Sequence, residues 1–313
     1  MSEQVSLRET YGKTLVELGR ENPDIVVLDA DLSKSTMTHF FGSEFPDRFF
    51  DCGIAEQNMI GIAAGLAASG KTPFASTFAV FAPGRCFDQV RMSIAQPELN
   101  VKLVVTHGGI SVGEDGTSHQ SIEDLALIGA LPGFSVIVPA DAVETAQAVR
   151  VAASSYGPFY IRLGRPKLPL VFGEDYRFSL GKAATMKPGQ DVTIIAIGIM
   201  VSAALEAATN LLQHGIDCRV LNMATLKPID EEAIIQAARE TGAIVTAEEH
   251  LEHGGLGSEV AQVTGRYQPV PLEFVAIKDT YGQSGKDSEL LKRYGLTAED
   301  IEAAVRSVIA RKK

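Results

Sequence analysis

The 313-residue sequence predicts an α/β fold of two doubly wound domains, each a parallel sheet covered by helices. Three observations carry this. Short runs such as the wholly apolar 25–28, and 192–197 and 243–247 with one threonine each, are what strands buried on both faces require. Segments with apolar residues at helical spacing lie between them, so strand and helix patterns alternate through both halves. A stretch over 168–190, with Pro169, Gly173, Gly181, Pro188 and Gly189, interrupts the alternation. It reads as a linker between a domain over 1–175 and another over 185–313.

The elements follow in order. Leu7, Tyr11, Leu15 and Leu18 give a helix over 7–21, broken by Asn22-Pro23-Asp24. The strand at 25–28 leads into a polar loop, Asp29 to Ser35. A strand-like run from Arg48 to Asp51 then meets a helix that starts near Glu56 and runs to about Ser69. Ile54, Ile60, Ala63, Ala64, Leu66 and Ala67 leave this helix apolar almost all round, which predicts that it is buried. Strands at 72–78, 101–106, 135–138 and 159–163 alternate with a loop over 79–85 and helices ending at about 95, over 122–128 and over 142–153. The second half reads as strands at 192–197, 218–221, 243–247 and 272–276, with helices over 201–213, 230–241, from about 257, and over 298–310.

Composition bounds the function. A net charge of −11 and a pI near 5.1 exclude a nucleic-acid surface or an anionic membrane surface as the partner. Cys52, Cys86 and Cys218 are far apart and form no CxxC, which fits a reducing compartment. No apolar run reaches the roughly 18–20 residues that span a bilayer, and 1–8 is polar, so the chain reads as soluble and cytoplasmic.

In open α/β sheets, ligands sit beyond the carboxyl ends of the strands. The polar loops of the first half all fall there, and five such loops can converge on one pocket. Glu56 lies in the first turn of its helix, where an anion is favoured; it either caps that helix or is held for a ligand nitrogen. Phe78 and Phe81 are core residues or a wall on which a flat ring stacks. The loop over 107–120 holds His107, Asp115, His119 and four glycines. It reads as a surface turn, as a ligand loop in which Asp115 and His119 share a hydrogen bond, or, with His107, as a zinc set. Arg8, Lys34, Arg85 and Arg165 are candidates for a phosphate, Arg165 foremost because Gly164 and Pro166 fix its backbone. The segment Glu248 to Gly257, with His250-Leu251-Glu252-His253 and three glycines, reads best as a glycine turn entering a helix with polar residues at an interface.

Gly53-Ile54-Ala55-Glu56-Gln57, Thr77-Phe78-x-x-Phe81, Thr106-His107, Gly113-Glu114-Asp115-Gly116-x-x-His119-Gln120 and Arg162-x-x-Arg165-Pro166 occur in this order. With Glu248-Glu249-His250 and Gly254-Gly255-Leu256-Gly257, they resemble the C-terminal part of transketolase over nearly the whole chain. The resemblance implies a thiamine diphosphate pyrimidine-binding domain followed by a smaller transketolase C-terminal domain. The family's GDG…N motif for Mg²⁺ and the cofactor diphosphate is missing, which implies the second subunit of a split transketolase. Its expected partner is an N-terminal subunit that carries that motif, in a heterotetramer, a dimer of heterodimers.

By the same resemblance, Glu56 matches the glutamate on the cofactor aminopyrimidine and acts in catalysis with Asp115 and His119. Phe78, Phe81, Asp31 and Ile54 match the cofactor group. Asp115 and His119 match residues that hold substrate hydroxyls, and His107, Ser35, Arg165 and Arg8 match the group that binds a sugar phosphate such as xylulose 5-phosphate. Gly84 and Arg85 stand where the family often has a third aromatic. Resemblance to 1-deoxyxylulose 5-phosphate synthase is weaker, because Thr106-His107 is the transketolase form, and resemblance to the β subunit of 2-oxo acid dehydrogenases is weaker, because that subunit usually lacks the Asp115/His119 arrangement. A non-catalytic regulatory subunit is a further alternative.

Overall fold

The structure is a computed structural model and describes residues 4–312. A seven-stranded sheet dominates the first half. Its spatial order is Thr225–Lys227, Ser135–Ile137, Phe159–Arg162, Lys102–Thr106, Thr72–Phe78, Ile25–Asp29 and Phe49–Asp51. Six of these strands are parallel. The seventh, Thr225–Lys227, comes from the second half and pairs antiparallel with Ser135–Ile137. The second sheet has five strands in the order Leu272–Ile277, Ile244–Leu251, Val192–Ala196, Cys218–Asn222 and Ala184–Lys187, the last antiparallel at the edge. Both sheets are therefore mixed and mostly parallel. Parallel neighbours need a crossover, and the helices between the strands provide it.

The helices start and stop where local chemistry directs. Ser6 accepts from the Glu9 N–H and caps Leu7–Glu21, whose Leu7, Tyr11, Leu15 and Leu18 are buried. Thr297 and Asp300 form a reciprocal capping box on Ala298–Ala310. The expectation of a wholly buried helix behind Glu56 is corrected. Glu56–Ala68 buries Met59, Ile60, Ala63 and Ala64 as one stripe, and Ile62 faces solvent. Ile54 precedes the helix and is 75% exposed. An apolar residue on every face of a sequence wheel does not bury a helix when only one face meets a sheet. The loop expected over 79–85 is also shorter, because Phe81–Gln89 is already helical and continues as a π-helical turn, Val90–Ala95.

The stretch over 168–190 is not a plain linker. Lys167–Pro169 pairs with Gln4–Ser6, and Ala184–Lys187 joins the second sheet. Between them the chain is pinned by buried acids. Asp141 caps Ala142–Ser154 and also accepts from the N–H groups of Val171 and Phe172, both at 2.9 Å. Glu144 accepts from the Tyr176 hydroxyl at 2.6 Å and from Asn222 Nδ2 at 2.8 Å, so one carboxylate ties the first half, the connection and the second half together. The hydrophobic core crosses with them: Val136 and Val138 pack in one cluster with Ile195, Ile197 and Leu226.

Candidate active site

The loops at the carboxyl ends of the first sheet's strands meet through a continuous chain of contacts. Glu56, 4% exposed, receives Arg85 Nη1 at 2.7 Å. The Arg85 guanidinium lies 3.8 Å from the Phe81 ring centre, and its carbonyl accepts from Gln57 Nε2 at 2.9 Å. Arg85 is thus drawn to Glu56 and not to the other phosphate candidates. The signal available in sequence was only its place four residues after Phe81.

Phe81 and Phe78 lie nearly parallel, with centroids 5.8 Å apart and planes at 15°. Phe78 stacks on His107 at 3.8 Å, and His119 packs edge-on against Phe81 at 5.6 Å. The two phenylalanines therefore form an aromatic wall bounded by two imidazoles and a buried carboxylate. That combination suits a flat nitrogen heterocycle, which needs a π face and a hydrogen-bond partner at its edge.

His107 is 3% exposed, has a left-handed backbone (φ 61°), and holds Nδ1 2.8 Å from Thr106 Oγ1. Burial pushes its pKa down to about 3, and the positive charges of Arg8 and Arg165 push it the same way. It is therefore a neutral hydrogen-bonding group at pH 7. Arg8 and Arg165 crowd each other: Arg8 Nη2 lies 3.4 Å from the Arg165 carbonyl, and burial with Arg165's charge lowers the Arg8 pKa. Arg8 Nη1 also donates to the Ser35 carbonyl at 2.6 Å, which brings the loop after Ile25–Asp29 to the same place. Arg165 donates to the Val112 carbonyl and lies 3.8 Å from Asp115. These cations line an open pocket of about 300 Å³ with Ser111, Val112, Gly113 and Glu114. Two guanidiniums that line one pocket form a seat for an anion.

Two expectations at the site need correction. Asp115 and His119 share no hydrogen bond: Asp115 turns to Arg165, and His119 Nδ1 meets Ser118 Oγ at 2.9 Å. The cause is the turn Gly113–Asp115, which ends before His119 and separates the two side chains. The zinc set also fails, because His107 is packed into the aromatic wall while Asp115 points to the guanidinium. Asp31 is exposed and left-handed (φ 62°), and its N–H donates to Asp51 Oδ1 at 3.1 Å. Gly53 N–H donates to the same oxygen at 3.0 Å, so Asp51 fastens the Asp31 loop to the Glu56 loop.

The segment Glu248 to Gly257 is structural, as its glycines suggested. Glu248 accepts from the N–H groups of Leu256 and Gly257 at the start of Leu256–Tyr267. Glu249 reaches into the first half and accepts from Ser111 N–H at 2.6 Å. Beside it Arg162, 5% exposed, lies 3.1 Å from Asp124 and donates to the carbonyls of Ser121 and Glu249. Gly108 and Gly109 allow this approach: a Cβ on either would overlap Arg162 or Glu249. Sequence reasoning missed Asp124, Glu249 and Arg162 as supports of the 107–120 loop, because partners tens of residues apart, up to 138, leave no local pattern.

Comparison with known proteins agrees with this geometry. Residues 3–171 match the family model of the transketolase pyrimidine binding domain, and residues 181–301 match that of the transketolase C-terminal domain. A putative transketolase C-terminal section of Methanocaldococcus jannaschii is 48% identical over 94% of this chain and 93% of its own length. A 6-deoxy-6-sulfo-D-fructose transketolase subunit of Clostridium sp. is 44% identical over 98% of this chain and 95% of its own. Among solved structures, a split gene transketolase described as an inactive beta4 tetramer superposes with a TM-score of 0.93 at 55% identity, covering 99% of this chain and 100% of that one. The aromatic wall, the buried glutamate and the paired guanidiniums thus stand in a chain that belongs to the transketolase family and corresponds to the C-terminal section of its split members.

Proposed function

We propose that the chain is the C-terminal subunit of a two-subunit, thiamine diphosphate-dependent transketolase that moves a two-carbon ketol unit from a ketose phosphate to an aldose phosphate. The observation that carries this reading is the buried Glu56 carboxylate, held by the Arg85 that lies over Phe81 of the Phe78–Phe81 pair, with His107 stacked on Phe78 and within the field of Arg8 and Arg165. When bound, thiamine diphosphate supplies the electron sink for breaking and forming the ketose carbon–carbon bond. This chain's residues bind and orient. Glu56 hydrogen-bonds the aminopyrimidine ring nitrogen and so biases which cofactor nitrogen can take a proton. Phe78 and Phe81 hold the ring flat, Ile54 covers it, and Asp31 stands near the thiazolium.

Asp115 and His119 hold substrate hydroxyls. His119 keeps Nδ1 on Ser118, which leaves Nε2 to the sugar. Arg8, Arg165, Ser35 and the neutral His107 hold the acid end. Mg²⁺ and the diphosphate fall to an N-terminal partner subunit with a GDG…N motif, in a dimer of heterodimers. The exposed apolar Ile54 and Ile62 beside Glu56 fit a contact with that partner. Xylulose 5-phosphate is the default donor. The Clostridium relative's name shows that a ketose ending in a sulfonate is used by one relative, and Ser33-Lys34-Ser35 is a place where such choices would be tuned.

The test is calorimetric titration of thiamine diphosphate with Mg²⁺ into the chain alone and into the chain mixed with its partner, followed by ketol-transfer assays. Binding in the mixture alone supports the reading. Tight Mg²⁺-dependent binding to the isolated chain refutes the split site. Glu56→Ala lowers turnover of the assembled enzyme by about 10²–10⁴; near-wild-type turnover defeats the assignment.

A further inference from the structure

Lys286 belongs to the second half of the chain, immediately before the helix Asp287–Arg293. The segment that carries it is nevertheless seated on the loop over 107–120. Gln120 Nε2 donates to the Gln283 carbonyl at 2.9 Å and to the Ile110 carbonyl at 3.2 Å. Thr117 Oγ1 donates to the Gly282 carbonyl at 3.4 Å, and Ser284 Oγ donates to the Glu114 carbonyl. A Cβ on Gly282 would overlap the Gln120 amide. The contact is too close to slide, so Gly285, Lys286 and Asp287 form one wall of the pocket that holds Arg8 and Arg165.

Lys286 is exposed, and no carboxylate among the described residues lies within ion-pair distance of it. Three cations and two carboxylates, Glu114 and Asp287, thus line the pocket. A ligand with an acid end and a hydroxyl-bearing body satisfies both sets: the cations face the acid, and the carboxylates accept from hydroxyls. A flexible ammonium is a point charge that adjusts to the length of the molecule reaching it, whereas the paired guanidiniums are fixed by their backbone contacts.

We propose that Lys286 is a specificity-determining ligand for the acid end of the substrate, a phosphate or a sulfonate, contributed by the wall that the second half adds to a pocket whose guanidiniums come from the first. This rests on the reading of the Arg8–Arg165 pocket as the seat of that group.

The experiment titrates inorganic phosphate, and separately methanesulfonate, into the full chain by calorimetry, using the wild type, Lys286→Gln and, as a positive control, Arg165→Gln. Lys286→Gln is expected to weaken phosphate by about fivefold, the scale of one exposed charge pair, with no change in melting temperature. An equal loss for methanesulfonate assigns Lys286 to any acid end; a loss for phosphate alone assigns it to the dianion. In the assembled enzyme, KM for a ketose phosphate is expected to rise by a similar factor at unchanged kcat, while an unphosphorylated ketose is unaffected. Phosphate affinity that survives Lys286→Gln but falls in Arg165→Gln overturns the inference and leaves the pocket's reading in place. Absence of phosphate binding to the wild type overturns both. An equal loss for phosphorylated and unphosphorylated donors overturns it too, because Lys286 would then act only by seating the loop.

Discussion

Gly109→Ala is a sharp test of how the second half supports the site. Gly109 has φ 82°, a left-handed conformation that costs an L-residue about 1–2 kcal/mol. The added Cβ would also overlap the Glu249 carboxylate, which must move and release the Ser111 N–H it accepts at 2.6 Å. Both groups are buried, and each such unsatisfied group costs about 1–3 kcal/mol. The combined loss is about 3–8 kcal/mol, a fall in melting temperature of about 5–12 °C for a chain of this size. Thermal unfolding followed by circular dichroism measures it. Because Glu249 is the obstacle, Glu249→Ala combined with Gly109→Ala should be less damaging than the sum of the single variants. A Gly109→Ala melting temperature within about 2 °C of wild type would refute the reasoning, as would strict additivity in the cycle.

Three other outcomes follow. The His107 imidazole should stay neutral down to about pH 4 in an NMR titration, since burial holds its pKa near 3; a midpoint near 6.5 would contradict the packing on Phe78. The sign for stability follows: the unfolded chain binds this proton first, so the contribution of His107 is fully present above pH 6.5 and is lost as pH falls from there towards 3. Asp141→Ala leaves the N–H groups of Glu144, Val171 and Phe172 without their acceptor and should destabilise the chain by about 2–4 kcal/mol; limited proteolysis should then cut first near 170–180, and an unchanged digestion pattern would count against the pinning role. Phe81→Ala should weaken thiamine diphosphate binding by the assembled enzyme by about tenfold, as loss of one stacking face predicts, read by calorimetry; unchanged affinity would remove Phe81 from the ring site.

The fold was largely legible because its strands and helices are set by local pattern. Leu7–Glu21, Thr72–Phe78 and Ala298–Ala310 lie where apolar spacing alone put them. The elements it missed share a cause. Thr225–Lys227 and Lys167–Pro169 are three-residue strands, too short to show a period, and exist because partners from distant sequence present an open edge. Asp287–Arg293 is a seven-residue helix, equally short for a periodic signal.

At the site, sequence determined the chemical inventory: a glutamate at a helix start, two phenylalanines three apart, a histidine- and glycine-rich loop, and arginines at strand ends. Tertiary structure alone decided the pairings. It turned Arg85 to Glu56, sent Asp115 to Arg165 and away from His119, made His107 neutral by burial, and set Glu249 and Lys286 of the second half beside the loops of the first. The physical reason is range. Helix and strand preferences act over a few residues, whereas hydrogen bonds, ion pairs and desolvation depend on which distant segments the packed core brings within about 3 Å of one another.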